Sequence, residues 1–231
     1  MLDISRIQAI TLDLDDTLWP VWPTIHRAEE RLQQWLQPHA PATAALFADA
    51  PLRNQLRAQV MQQWPLHHHD LSHIRLEMIR LGLRNGGEDT ALAEPAFGVF
   101  FAARQEVVLF DDAEGALRAL SSRWPILALS NGNADVHRIG IGAYFCGSVS
   151  ARDAGVAKPD ARIFQAASDA LKLPPEAVLH VGDDADLDVV GALGAGMQTA
   201  WVNRNDHTWN HQVQPHTTVA TMAQLCQVLG L

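Results

Sequence analysis

The sequence predicts an α/β protein built on a parallel sheet, with a small all-helical segment inserted after the first strand. Three observations carry this. Residues 7–14 read IQAITLDL, a short β-branched apolar run ending in acids, which marks a buried strand. Residues 19–105 are rich in Ala, Leu, Gln and Arg, with apolar residues at helical spacing over 27–36 and 71–81 and with Pro38, Pro41, Pro51, Pro65 and Pro95 as punctuation. From Glu106 onward strand and helix patterns alternate, which implies a parallel sheet covered on both faces.

Each later element has its own signal. Residues 113–123 read as a helix with Asp111 or Asp112 as N-cap. A buried strand at 125–129 is ended by Ser130-Asn131-Gly132-Asn133, and a helix follows at 162–171. A strand at 177–181 is ended by Gly182-Asp183-Asp184, residues 188–194 start a helix, 198–202 form a strand, and 222–229 form a closing helix. Ligands of such sheets sit outside the carboxyl ends of the strands. The acids, the hydroxyls and the glycines of this chain fall there.

Composition narrows the function. The 231 residues carry a formal net charge of −9, which disfavours broad nucleic-acid binding. No apolar run approaches the roughly 18 residues of a membrane span, and the first residues lack a signal-peptide pattern. Cys146 and Cys226 are the only cysteines, too few for a disulfide framework, so the expectation is a cytoplasmic protein. Lys158 and Lys172 are the only lysines. Lys172 suits a helix end; Lys158, just before a helix, can place its ammonium in the crevice.

Asp13 and Asp15 are two apart at a strand end, so both can reach one ligand. Close carboxylates repel and call for a cation or a shared proton. With Asp183 they form a hard-oxygen set suited to Mg²⁺ beside phosphate. Lys158 can balance the acids and hold a phosphoryl oxygen.

Asp13-x-Asp15-x-Thr17, Ser130, Lys158-Pro159, and Gly182-Asp183 with Asp188, each in this order and context, resemble the four motifs of the haloacid dehalogenase-like (HAD) hydrolases. The resemblance covers the whole chain. It implies a Rossmann-like catalytic core at 1–18 and 106–231 and a helical cap, or substrate lid, at 19–105. Carried onto these positions, it implies that Asp13 is the nucleophile and forms an aspartyl-phosphate, that Asp15 is general acid and then base, and that Lys158 neutralises developing charge. Thr17, Ser130, Asn131 and Lys158 would bind or orient the phosphoryl group. Mg²⁺ would be held by Asp13, the main-chain carbonyl of Asp15 and Asp183, supported by Asp188 and, less directly, Asp184. The family's dehalogenases lack an acid two residues after the nucleophile, so Asp15 favours a phosphatase acting on a small phosphate ester.

Asn131-Gly132-Asn133-Ala134, His180-Val181-Gly182-Asp183-Asp184, and Gly196-Met197-Gln198 with Trp201 resemble the bacterial flavin-pathway phosphatases of this family. That implies 5-amino-6-(5-phospho-D-ribitylamino)uracil or FMN as substrate and a place in riboflavin biosynthesis. Trp19, Trp22 and His69 are candidate cap contacts to substrate, the two tryptophans as surfaces on which a flat ring could stack. The alternative is a general phosphatase of phosphoglycolate, sugar phosphates or nucleotides. From a different class, the chain would be a non-catalytic phosphoacceptor or interaction protein. His67-His68-His69 with His73 resembles a metal motif, but Asp70 reads more simply as an N-cap.

Overall fold

The computed structural model describes all residues, 1–231. They separate into two compact units, Met1–Pro20 with Val108–Leu231, and Val21–Val107. Each boundary falls two residues later than the sequence suggests, so Trp19 and Pro20 belong with the sheet.

Six strands form one sheet: β1 Ala9–Leu12, β2 Ile126–Ser130, β3 Gly147–Ser150, β4 Val178–Gly182, β5 Gln198–Val202 and β6 Thr217–Val219. All pairings are parallel, in the order β3-β2-β1-β4-β5-β6. Every residue of β1, β2, β4 and β5 is buried, as expected of central strands covered on both faces. The two edge strands, β3 (GSVS) and β6 (TTV), are partly exposed. They are short and mostly polar, so no apolar run announces them. The chain builds outward from β1 to one side through β2 and β3, then to the other through β4, β5 and β6. That is a Rossmann-like order with its switch point between β1 and β4, where a ligand crevice opens.

The second unit is all helical: α1 Val21–His39, α2 Pro41–Ala48, α3 Ala50–Gln63, α4 Leu71–Gly86 and α5 Ala93–Arg104. Thr24, Ala28, Leu32 and Leu36 of α1 are buried at a strict four-residue spacing, so one stripe of the helix faces the core. There Ala28, Leu32 and Leu36 join Phe47, Leu56, Val60, Ile74, Ile79, Leu83 and Phe100. Pro41 and Pro51 occupy first-turn positions of α2 and α3, where no amide donor is lost. Asp70 caps α4 by accepting from the His73 amide at 2.9 Å.

The sheet carries α6 Ala113–Ser121, α7 Val136–Ile139, α8 Ala151–Ala154, α9 Ala161–Leu171, α10 Gly191–Gly194 and α11 Met222–Val228. Ile163, Phe164 and Ala167 of α9 pack with Leu127, Leu129, Val178 and Ala192. Full burial of a side chain such as Phe164 contributes about 1.5–3 kcal/mol. Asp112 does precede α6, but its carboxylate makes no cap there. It accepts instead from the Met222 amide of α11 (2.6 Å) and from Arg204 (3.1 Å). Before α10 the chain makes a π-helical turn, Ala185–Val190, a form that often marks a functional site.

Candidate active site

Asp13 follows β1 directly. Its amide donates to the Val181 carbonyl of β4 at 2.9 Å, so the ladder holds its backbone at the switch point. Asp16 adopts a left-handed conformation (φ 57°), which a short polar side chain tolerates. The resulting tight turn brings the Asp16 amide to the Trp19 carbonyl at 2.7 Å. The turn is pinned from the loop after β5, because the Arg204 guanidinium donates to the Thr17 carbonyl at 3.0 Å and lies 4.0 Å over the Phe110 ring.

Lys158 is buried and donates to Asp13 Oδ1 and Asp188 Oδ1, both at 2.5 Å. Asn131 fixes the lysine's backbone from both sides, donating to its carbonyl (3.0 Å) and accepting from its amide (2.7 Å). The Thr17 hydroxyl lies 2.9 Å from Asp183 Oδ1 and 3.3 Å from Asp13 Oδ2. Its single proton favours the nearer acid. Ser130, at the end of β2, is buried and accepts from the Gly132 amide at 2.9 Å. The Trp201 indole donates to the Asp183 carbonyl at 2.7 Å, fixing the loop after β4.

Carboxylate oxygens of Asp13, Asp183 and Asp188 lie within 4.8 Å of one another. Lys158 reaches two of these three acids, so the cluster carries excess negative charge. Burial first, then the neighbouring acids, push Asp13 well above the usual carboxylate range against the pull of Lys158. Burial and then Asp188 push Asp183 up to about 7. Against the cost of burial, Lys158 and the His180 bond hold Asp188 well below its usual range. A buried, oxygen-only cluster short of positive charge fits a hard divalent cation, and these acids could hold one.

This arrangement sets a pH dependence. In metal-free buffer folded Asp183 keeps a proton up to about pH 7, whereas in the unfolded chain it releases it near 3.8. At this group the folded state therefore binds more protons between about pH 4 and 7, and the stability that Asp183 contributes falls as pH rises through that window. One group contributes at most about 4 kcal/mol. Urea unfolding of the parent and of Asp183→Asn at pH 5 and 7.5 checks this. The same pH dependence in the parent and the variant, without metal, would contradict the charge excess.

Gly182 shows how tightly the cluster is built. A Cβ there would lie 2.3 Å from Asp188 Cγ, so Gly182→Ala must displace that carboxylate. Overpacking of this kind costs about 1–3 kcal/mol. We expect that loss in chemical denaturation, together with lower activity; a variant as stable and active as the parent would refute the close approach.

The other expected site residues fall as follows. Asp15 Oδ1 accepts from the Trp19 indole at 2.9 Å. Trp19 is wholly buried, so it offers no open ring face for stacking and serves instead to orient Asp15. That corrects its reading as a cap contact. Asp184 is exposed, and its carboxylate caps the π-helical turn through the Asp186 (2.9 Å) and Leu187 (2.8 Å) amides. Trp22 (66% exposed) and His69 lie in the helical unit. That unit also holds a cavity of about 450 Å³ lined by His26, Glu29, Gln33, Phe47 and Arg53, among others, and by none of the motif residues. Sequence reasoning missed His180, which is buried with its Nε2 3.1 Å from Asp188. It also missed Arg204, whose sequence neighbourhood carries no signal.

The haloacid dehalogenase-like hydrolase profile matches residues 7–196. The chain belongs to this family. An HAD relative from Escherichia coli (strain K12), 5-amino-6-(5-phospho-D-ribitylamino)uracil phosphatase YigB, is 32% identical over 98% of both chains. The N-acylneuraminate-9-phosphatase of Mus musculus is 26% identical over 99% of this chain and 96% of its own. A solved structure described as the 2-haloacid dehalogenase from Pseudomonas syringae pv. Tomato DC3000 superposes with a TM-score of 0.92, at 32% identity over 97% of this chain and 98% of that one. Among HAD enzymes this chain groups with the phosphatases, in line with the names of these two curated relatives and with its Asp13–Asp15 pair.

Proposed function

We propose that the protein is a Mg²⁺-dependent phosphomonoester hydrolase that works through an aspartyl-phosphate on Asp13. The observation that carries this reading is the Lys158-bridged acid cluster at the carboxyl ends of β1 and β4, with Asp15 two residues beyond Asp13. An Asp13 carboxylate oxygen attacks phosphorus as the ester P–O bond breaks, and Asp15 gives its proton to the leaving alkoxide. Asp15 then takes a proton from water, the water oxygen attacks phosphorus, and Asp13 leaves as carboxylate with release of phosphate. Lys158 offsets charge at Asp13 and the phosphoryl oxygens, and Ser130 and the Asn131 amide bind those oxygens. When bound, Mg²⁺ supplies further neutralisation of phosphoryl charge; Asp13, the Asp15 carbonyl and Asp183 are the groups assigned to hold it, with Asp188 in support.

The helical unit, Val21–Val107, is assigned the role of substrate lid, with Trp22 and His69 as candidate contacts. The substrate we favour is the ribitylaminouracil phosphate or FMN, because YigB is a phosphatase of the former and spans nearly the whole chain. The free thiols Cys146 and Cys226 fit a cytoplasmic setting, and no helix is long and apolar enough to cross a membrane. The likeness to a dehalogenase structure raises a second reading, 2-haloacid hydrolysis. Asp15 argues against it, since a halide leaves without a proton and an alkoxide does not.

Phosphate release from FMN, the ribitylaminouracil phosphate, phosphoglycolate, sugar phosphates and nucleotides, with and without Mg²⁺, tests the proposal beside halide release from 2-haloacids. Metal-dependent phosphate release supports it, and the ranking of kcat/KM judges the flavin assignment. Halide release without phosphate release would overturn it.

A further inference from the structure

Resting on that reading, one buried group remains without a part in the chemistry. His180 lies in the middle of β4, is 1% exposed, and meets the Phe164 ring edge-on at 5.2 Å. Parallel register sets it beside Thr11 of β1. Its Nδ1 is 2.9 Å from the Thr11 hydroxyl and its Nε2 is 3.1 Å from Asp188 Oδ1. An ionised carboxylate only accepts, so Nε2 carries the proton and donates. Burial lowers the pKa of His180, which favours the neutral ring, so Nδ1 accepts from the Thr11 hydroxyl. The polarity of the whole chain is thereby set: Thr11 to His180, His180 to Asp188, with Lys158 donating to the same Asp188 oxygen.

We infer that His180 is a positioning residue that fixes the plane of the Asp188 carboxylate and, through it, the Lys158 ammonium against Asp13. Asp188 Oδ2 is held by the Asp184 amide at 3.0 Å, and the backbone of Gly182 closes one side of the carboxylate. On Oδ1 the only rigid donor is His180, because Lys158 reaches that atom on a flexible stem. Without the imidazole the carboxylate can turn about its last bond, and the ammonium follows it. Partners that orient ligating groups in this way matter by about 10–100-fold in affinity or activity.

The test compares His180→Leu, which keeps the packing against Phe164 and removes the donor, with His180→Gln, whose amide nitrogen can stand near the Nε2 position. The Leu variant is expected to lose about 10–100-fold in kcat with little change in KM, and the Gln variant to recover most of the loss. Mg²⁺ affinity, read by tryptophan fluorescence with Trp201 beside the cluster, is expected to weaken in the Leu variant and recover in the Gln variant. Should the Leu variant not fold, Thr11→Val decides, with a smaller kcat loss expected at unchanged KM. A folded Leu variant with undiminished kcat and Mg²⁺ affinity, a Gln variant as impaired as Leu, or a fully active Thr11→Val in place of an unfolded Leu variant would overturn the inference. Wild-type turnover lost in Asp13→Asn but kept in His180→Leu would sink this inference alone. A wild type that releases no phosphate would sink the functional reading, and the Mg²⁺ titration would still judge His180.

Discussion

Asp13→Asn is expected to abolish turnover, lowering kcat by at least about 10⁴-fold, or about 5.5 kcal/mol of transition-state stabilisation. An amide keeps the shape of the carboxylate but is a very poor nucleophile. The fold should survive. Asp13 lies close to two other acids and shares a single ammonium with one of them, and removing its charge leaves the Lys158–Asp188 pair intact while relieving repulsion. Metal-free stability at pH 7 should therefore be unchanged or higher, measured by urea unfolding beside a phosphate-release assay. Retained turnover would mean that another group, or water, attacks the ester.

Lys158→Met is expected to do the opposite to stability. Asp13 and Asp188 are both buried and each loses its 2.5 Å partner. Removing one member of a buried ion pair typically costs about 3–5 kcal/mol, because the remaining charge has neither water nor counterion. The loss should be largest in metal-free buffer and partly recovered by a divalent cation, which can stand in for some of the missing charge. Turnover should be lost in either case. A metal-free variant as stable as the parent would show that the acids are satisfied without the lysine.

Much of this architecture is legible in the sequence because central parallel strands are apolar on both faces. Residues 198–202 read as a strand and are one, and 177–181 and 125–129 each lie within a residue of β4 and β2. The edge strands β3 and β6 escape the same reasoning, since they owe their conformation to a neighbour's ladder rather than to their own side chains. The motif acids were legible because Asp13 and Asp183 follow strand ends. What was not legible is how each acid is spent. Asp188 reads as a distant support, yet it is the second carboxylate on Lys158. Asp112 reads, beside Asp111, as a candidate cap of the helix it precedes, yet it serves α11, 110 residues away. Trp19 follows the catalytic turn and reads as a stacking surface, but the turn folds it inward onto Asp15. For Asp188 and Asp112 the partner is brought in by tertiary structure, which local spacing does not encode; for Trp19 the partner is four residues away, and the turn geometry that joins them is what the spacing leaves open.

The most direct test of the central claim is to trap the covalent species. Turnover in Mg²⁺ would be quenched in acid, the protein reduced with borohydride, and its peptides mapped by mass spectrometry. An aspartyl-phosphate is reduced to homoserine, so the account predicts homoserine at position 13, absent without substrate and absent without metal. Robust phosphate release with Asp13 unmodified, or with the label on a different acid, would contradict it.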